Sequence, residues 1–221
     1  MDKSFAWSYS SLESFETCAW RHKLTKVTKE VSEGQSEEML WGNRVHKALE
    51  HRLVNNTPLP ESMQQFEEVA AKVAKAAEGA ELEAEQKMSL TKDFRPVSWF
   101  DKQTWVRGIT DFTINKADKV FIGDWKTGKP KPGSAQLKLT AAMTMHHKPW
   151  VNTVINTFVW LKTGSATTEK FTREDIPTIW QEFAPRVQRM EIALAEDKWP
   201  KKPGGLCKQW CGVPKHLCEY R

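Results

Sequence analysis

The sequence predicts a mixed α/β fold, in which a central mixed β-sheet is flanked by helices on both faces. Residues 1–80 carry apolar side chains at helical spacing, residues 81–172 hold β-rich runs interrupted by one helical segment, and a long helical pattern begins after them. A chain of 221 residues can bury a substantial core without cross-links. We therefore expect one domain over 1–221, with a helical N-terminal part, a sheet region, and a C-terminal helix with a Cys-rich tail over 173–221.

The N-terminal part is predicted to contain three helices. Ser10 and Glu13 form a capping-box pattern, so the first helix is expected to start there and to end near residues 23–26. Apolar residues at helical spacing predict a second helix over 39–53. After a chain-breaking stretch of Asn and Pro, an Ala-, Glu- and Lys-rich segment predicts a long, exposed amphipathic helix over 61–80.

The sheet region and the C-terminal part are predicted to add strands and two further helices. Runs rich in β-branched and aromatic residues predict strands over 82–90, 104–114, 120–125 and 151–161, with a short edge strand over 167–171. Helical spacing predicts a helix over 134–145 and a last helix that starts at 173 or 177 and ends at 196. The sequence shows no internal repeat.

Two acidic residues lie on neighbouring predicted strands. Asp111 is in one strand, Asp124 ends the next, and residues 115–119 supply a turn of hairpin length, so antiparallel pairing brings the two carboxylates together. A hard divalent cation such as Mg²⁺ removes their mutual repulsion. Lys126 faces the same side as Asp124, with Trp125 opposite, because side chains alternate along a strand. An Asp-x-Lys tripeptide alone is more often an exposed ion pair at a strand end.

The charge balance suits a polyanionic partner. Thirty-three Lys and Arg residues against 28 Asp and Glu residues give a net charge of +5. Several basic residues surround the acidic pair in the sequence: Lys119, Lys126, Lys129, Lys131, Lys138 and Lys148. No apolar run of about 18 residues is present, so a transmembrane helix is excluded. The first residues lack the apolar core of a signal peptide, and a cytoplasmic protein is therefore expected.

A series of short motifs carries a resemblance to a known family. The motifs are Ser8-Tyr9-Ser10-Ser11-Leu12 with Phe15 and Cys18, Gly42-x-x-x-His46, Gly108-x-x-Asp111, Asp124-Trp125-Lys126-Thr127-Gly128, and Gln136. Their order and spacing resemble the RecB-type branch of the PD-(D/E)XK nuclease superfamily, which also contains CRISPR-associated exonucleases and phage recombination nucleases. The resemblance covers residues 8–221, and the hairpin motif is its most specific part. It implies a restriction-endonuclease-like core with the N- and C-terminal segments packed together.

The resemblance also implies a role for each matching residue. Asp111 and Asp124 match the metal-binding acids, and His46 matches a helical histidine that is an added metal ligand or phosphate contact. Lys126 matches the lysine that orients or activates the attacking water. Gln136 matches the glutamine of a Gln-x-x-x-Tyr helix that lies near the DNA.

Three features leave alternatives open. Thr140 stands where the family's tyrosine is expected, so the contact that the tyrosine makes is lost or supplied differently. Glu85, on the preceding strand, is an additional acid of the site or, equally, a surface glutamate. The adjacent His146 and His147 diverge at a helix end and are expected to be polar surface or cleft residues rather than metal ligands.

The four cysteines divide into one early and three late residues: Cys18, Cys207, Cys211 and Cys218. In a reducing compartment they are ligands or free thiols rather than disulfides. In a subset of the RecB-type branch, this distribution resembles the ligand set of a [4Fe-4S] cluster that ties the chain ends together. The spacing here is looser than the commonest one, so zinc, with His216 replacing a cysteine, and unligated thiols stay open.

The function implied by the resemblance is that of a Mg²⁺- or Mn²⁺-dependent DNA nuclease, an exonuclease on ends or single strands, in recombination, repair or DNA processing. A divalent cation supplies the nucleophile and the charge neutralisation that phosphodiester hydrolysis needs. No Walker-type phosphate loop occurs in the sequence. The alternatives are a non-catalytic nucleic-acid-binding module and a subunit that works only with a recombinase or helicase partner.

Four tryptophans lie near polar or loop residues and are candidates for stacking on unpaired bases: Trp7, Trp41, Trp99 and Trp150.

Overall fold

The computed structural model describes residues 5–32, 34–130 and 135–221. Its strands form one sheet in the order β1-β2-β3-β4-β5. The strands are β1 (Glu81–Leu90), β2 (Val106–Lys116), β3 (Lys119–Lys126), β4 (Thr153–Trp160) and β5 (Ser165–Thr172). Strands β3 and β4 pair in parallel, whereas the other neighbouring strands pair antiparallel. The predicted mixed sheet is confirmed.

Helices cover both faces of this sheet. The helices are α1 (Tyr9–Thr17), α2 (Ala19–His22), α3 (Glu37–Asn55), α4 (Glu67–Ala76), α5 (Ala135–His147), α6 (Ile176–Glu196) and α7 (Leu206–Gln209). A π-helical turn (Lys23–Val27) follows α2, and short 3₁₀ turns lie at Glu61–Phe66, Arg173–Asp175 and Lys215–Leu217. One apolar core joins α1, α5 and α6 to one face, and a second core joins α3 and α4 to the other. No helix of the described residues is long and apolar enough to cross a membrane.

The N- and C-terminal segments pack together, as expected. Glu16 of α1 forms a bidentate ion pair with Arg186 of α6, at 2.8 and 2.7 Å. The indole N–H of Trp20 donates to the carbonyl of Leu217 at 2.9 Å, and the His22 ring stacks on Trp199. These contacts join positions 170 to 197 residues apart and bring the early and late cysteines to the same end of the molecule.

The structure corrects the first helix. Ser8, and not Ser10, is its N-cap: Ser8 is extended, its hydroxyl accepts from the Ser11 N–H, and the Ser11 hydroxyl accepts from the Ser8 N–H at 2.8 Å. Ser10 is therefore already inside α1. The helix does not run through to residue 26, because Cys18 is extended (φ −164°, ψ 110°) and separates α1 from α2.

Other boundaries also differ from the predicted ones. The segment over 61–80 begins as a 3₁₀ turn and ends as a helix at Ala76, and it is only partly exposed because Met63, Phe66 and Ala70 pack into the second core. The hairpin turn between β2 and β3 contains two residues, not five, because pairing continues to Lys116 and Lys119. Ser134, where a helix was expected to start, and Lys131 lie outside the described residues.

Candidate active site

The β2–β3 hairpin brings the two acidic residues together. Phe112, next to Asp111, pairs with Gly123, next to Asp124. The Phe112 ring lies directly over Gly123, where a Cβ atom would be 1.8 Å from the ring, and the ring packs on Trp125 at 4.7 Å. The absence of a side chain at Gly123 therefore lets the aromatic ring fix the register of the strands beside both carboxylates.

Asp111 is held by a main-chain group and by a helix. Its Oδ2 accepts a hydrogen bond from the backbone N–H of Trp125 at 2.6 Å, and its Oδ1 lies 3.1 Å from Nδ1 of His46. His46 projects from α3 beside an apolar side of that helix, which is buried through Val45 and Leu49. Burial of that apolar side fixes the rotation of the helix and so directs the imidazole toward the carboxylate.

Asp124, Lys126 and Gln136 form a connected polar group. The Gln136 amide, on α5, donates to Asp124 Oδ1 at 2.7 Å, and Lys126 Nζ lies 2.6 Å from Asp124 Oδ2. Lys126 Nζ also donates to Gln136 Oε1 at 3.2 Å and lies 4.6 Å from the centre of the Phe158 ring. Trp125 points to the other side of the sheet and is 1% exposed, as strand alternation predicts.

The electrostatics of the site favour a bound cation. Burial raises the pKa of Asp124, and the charge of Asp111 raises it further, against the opposing effects of Lys126 and His46. Burial by itself would lower the pKa of His46, but the hydrogen bond and charge of Asp111 and the charge of Asp124 outweigh it, so the net pKa is raised. Protons thus accumulate where negative charge is concentrated, and a divalent cation relieves the same excess charge.

Glu85 faces this site. The β1–β2 ladder pairs Ala84 with Phe112 and Gln86 with Thr110, but it is interrupted at Glu85, whose φ is 49°. Burial raises the pKa of Glu85, and the charges of Asp111 and Glu50 add to that effect. The glutamate is therefore near enough to the acidic pair to sense it, and the left-handed backbone, which is uncommon for a non-glycine residue, turns it out of the regular ladder.

The donor set suits Mg²⁺ or Mn²⁺. Carboxylate oxygens and one imidazole are ligands that these cations accept. Asp124 Oδ2 is buried, and among residues 5–32, 34–130 and 135–221 it accepts no aligned hydrogen bond, although the Lys126 ammonium lies against it. In the same ranges no three His, Cys, Asp or Glu side chains meet closely enough to hold an ion as they stand. The residues that would hold a cation are His46, Asp111 and Asp124, whose side chains would have to come closer together around it.

The four cysteines line a single cavity. Its volume is about 410 Å³. It is lined by residues near Cys18, where α1 and α2 are separated, and by residues of the C-terminal tail. All four thiols are free and partly buried: Cys18, Cys207, Cys211 and Cys218. The cavity places the early and late cysteines around one space, and among the described residues no three of them meet closely enough to hold a metal ion as they stand. His216 is not among the residues that line this cavity.

Several other sequence-derived expectations have a structural outcome. Thr140 is buried and donates to the Gln136 carbonyl, while Asn156 donates to the Thr140 hydroxyl at 2.6 Å, so Thr140 anchors α5 to β4. His146 and His147 are half-buried and hydrogen-bonded within the protein: His146 accepts from the Trp180 indole at 3.1 Å, and His147 hydrogen-bonds to the backbone of Ser89.

Not all the predicted basic residues surround the site. Lys148 is buried in an ion pair with Glu83, and Lys119 begins β3, at the opposite end of the strand from Lys126.

One residue near the site had no predicted role. Arg107 lies beside the Gly108 motif and lines the same cleft as Lys126, and the only signal for it in the sequence is a cation on the strand that leads to Asp111.

Comparisons with known proteins bear on the fold and on the family of this chain. The structure resembles that of a candidate exonuclease from Eubacterium rectale with a TM-score of 0.52 at 12% identity, covering 96% of this chain and 95% of that chain. A second solved structure, SSO0001, covers 96% of this chain and 85% of that chain at 12% identity, with a TM-score of 0.48. No curated protein matches the sequence. The sequence model of the PD-(D/E)XK nuclease superfamily matches residues 6–219. The chain therefore belongs to the PD-(D/E)XK nuclease superfamily, whose members are hydrolases of nucleic acid.

Proposed function

We propose that the protein is a divalent-metal-dependent DNA nuclease of the RecB-type branch, which acts as an exonuclease on ends or single strands. The observation that supports this most is a set of contacts drawn from α3, β2, β3 and α5: His46 with Asp111, Asp111 with the Trp125 backbone N–H, and Asp124 with Lys126 and Gln136. Two acids, an imidazole, an ammonium and an amide on neighbouring elements can together bind a cation and stabilise the negative charge that develops during phosphodiester hydrolysis.

Each residue has a proposed task. When bound by His46, Asp111 and Asp124, the cation would lower the pKa of a water molecule and neutralise phosphate charge. Lys126, held against Asp124, orients the attacking water and stabilises the negative charge that develops on the phosphate. Gln136 keeps the ammonium and the carboxylate in register by bonding to both. Glu85 serves as an additional acid at the rim of the site.

Site-directed substitution tests this proposal. Asp124→Asn and Lys126→Ala are each expected to reduce the rate of DNA hydrolysis in Mg²⁺ or Mn²⁺ by about 100-fold or more while leaving the thermal unfolding transition in place. Asp118→Asn and Lys119→Ala are matched controls, because both residues are exposed and lie at the far end of the same hairpin. Full activity in the Asp124 or Lys126 variant would contradict the proposed site.

The substrate can be narrowed with labelled strands. An exonuclease degrades linear single strands labelled at the 5′ or 3′ end but leaves a circular single strand intact, whereas an endonuclease cuts both. A binding module would hold DNA equally in EDTA and leave it uncut when metal is restored. Activity that appears only after mixing with a recombinase or helicase would show that the chain is a partner-dependent subunit in recombination, repair or DNA processing.

We also propose that the cysteine cavity holds a [4Fe-4S] cluster with a structural role. The support is the common cavity, lined by all four thiols and closed by contacts between the two ends of the chain. Free thiols suit a reducing compartment such as the cytoplasm. Iron, sulfide and zinc analysis of protein purified without oxygen, together with its visible absorption, distinguishes the cluster from zinc and from unligated thiols.

A further inference from the structure

A cleft of about 660 Å³ leads away from the proposed catalytic residues. Lys126 and Gln136 line it on one side, and Tyr9 of α1 lies along its wall. Trp99, Arg107 and Ile109 line it as well. The loop between β1 and β2, which carries Trp99, therefore shares one continuous space with the groups that would contact a scissile phosphate.

Two cations lie near the ring of the tryptophan in this cleft. The Arg107 guanidinium lies 5.4 Å from the centre of the Trp99 ring, and Lys87 Nζ lies 5.8 Å from it. Arg107 Nε is buried and donates no hydrogen bond within the described part of the chain. The ring is thus oriented by cation–π contacts, and its surroundings are positively charged.

The same loop, together with Ile109 of β2, presents apolar surface to solvent beside these cations. Trp99 is half-buried, the neighbouring Phe100 is 85% exposed, and Ile109 is 39% exposed. An exposed aromatic side chain among cations suits an unpaired nucleic-acid strand, whose bases offer flat apolar faces and whose phosphates are anionic. Bases of an intact duplex are already stacked on one another and cannot lie flat on a protein ring.

We propose that Trp99 is a stacking platform for an unpaired base of a single-stranded segment, with Arg107 and Lys87 holding the adjoining phosphates. The proposal deepens the proposed function and rests on it for the nature of the ligand. It makes the cleft selective for single strands or frayed ends over closed duplex, because only an unpaired base reaches the ring.

Binding of labelled strands in EDTA tests the proposal without any cleavage. Trp99→Ala is expected to weaken binding of a single-stranded oligonucleotide by about 5- to 150-fold, the range for losing one base–aromatic stack. Trp99→Phe should keep most of the affinity. Trp150→Ala is the matched control: Trp150 is 49% exposed and has a lysine, Lys148, 5.9 Å from its ring, but it precedes β4 at the end of the sheet opposite Lys126.

A strand without bases separates stacking from backbone contacts. Wild type and Trp99→Ala should bind an abasic strand equally, and a fluorescent base analogue should be quenched in the wild type but not in the variant. The proposal is overturned if Trp99→Ala binds the single strand as the wild type does, if it loses the same factor on abasic and normal strands, or if the wild type fails to bind. If Trp99→Ala instead abolishes association between two copies of the chain and leaves strand binding unchanged, Trp99 is a protein contact and the proposal is overturned.

The outcome is independent of the catalytic assignment. Strand binding through Trp99 with no cleavage after metal is added would remove the proposed nuclease activity and leave the platform intact. Cleavage by a Trp99→Ala protein that binds single strands normally would support the nuclease activity and contradict the stacking platform.

Discussion

At the scale of single residues, β3 serves the site with its backbone as well as with its side chains. Asp124 and Lys126 project to one side of the sheet and Trp125 to the other, while the Trp125 N–H fixes the Asp111 carboxylate. Strand alternation predicts the first of these arrangements from the sequence alone. It does not predict the bond to Asp111, because that bond depends on the pairing of two strands, and it does not predict the left-handed backbone of Glu85, which no residue type at that position signals.

His22 gives a pH-dependent prediction at this scale. It is buried between Phe15 and Trp199, and burial, together with the charge of Lys26, lowers its pKa from 6.5 to about 4. The unfolded chain therefore binds a proton that the folded chain does not bind between these pH values, so the stability from this residue is full above pH 6.5 and is lost as the pH falls toward 4.

Thermal unfolding of the wild type and of His22→Leu from pH 7.5 to pH 5 checks this expectation. The wild type should lose stability more steeply than the variant as the solution is acidified, since leucine takes up no proton. Parallel curves for the two proteins would contradict the lowered pKa. Changes in carboxylate protonation affect both proteins alike and cancel in the comparison.

At the scale of elements, helices and strands with strong periodicity were predicted within a few residues of their true bounds. Helix α6 ends at Glu196 as predicted, and all five predicted strands are present. The break at Cys18 was missed because its cause is remote: the Trp20 backbone N–H donates to Pro200, and its side chain donates to Leu217. Strand β5 is longer than expected because it pairs with β4 along its whole length.

The hairpin carries a prediction at this scale. Gly123→Ala places a methyl group inside the Phe112 ring and should destabilise the protein by about 1–3 kcal/mol or more, with a matching fall in Tm. Gly34→Ala is the control, because a Cβ there meets nothing within 4 Å. In a Phe112→Ala background the Gly123 substitution should cost much less. Equal costs in both backgrounds would show that the ring does not set the register.

At the scale of the whole molecule, fold class and packing of the two chain ends followed from composition, motif order and resemblance. The assignment of helices to faces did not, because it depends on which apolar surfaces meet. Helices α3 and α4 take one face and α1, α5 and α6 take the other, so the site receives His46 and Gln136 on different helices. The cleft at Trp99 was beyond prediction, since its walls come from segments far apart in sequence.

The cysteine cavity gives a prediction for the whole fold. If a cluster joins the chain ends, Cys18→Ala and Cys211→Ala should each lower stability by about 2 kcal/mol or more, or Tm by about 4–8 °C for a chain of this size. The double variant should be no less stable than either single one, because losing one ligand already removes the cluster. Additive losses, or no loss, in proteins purified without oxygen would contradict a shared cluster. Hydrolysis at low temperature should persist in all of them.

The pairing of Phe112 with Gly123 has a consequence for how the protein can vary. A slip of one residue between β2 and β3 would send Asp124 and Lys126 toward the second core and Trp125 toward the cleft. Such a chain would bury two charges and expose a large indole, so the register shift would prevent folding and not only reduce catalysis. Insertions or deletions within these two strands should therefore be eliminated as folding defects, and catalysis can be tuned only by changes that keep the register.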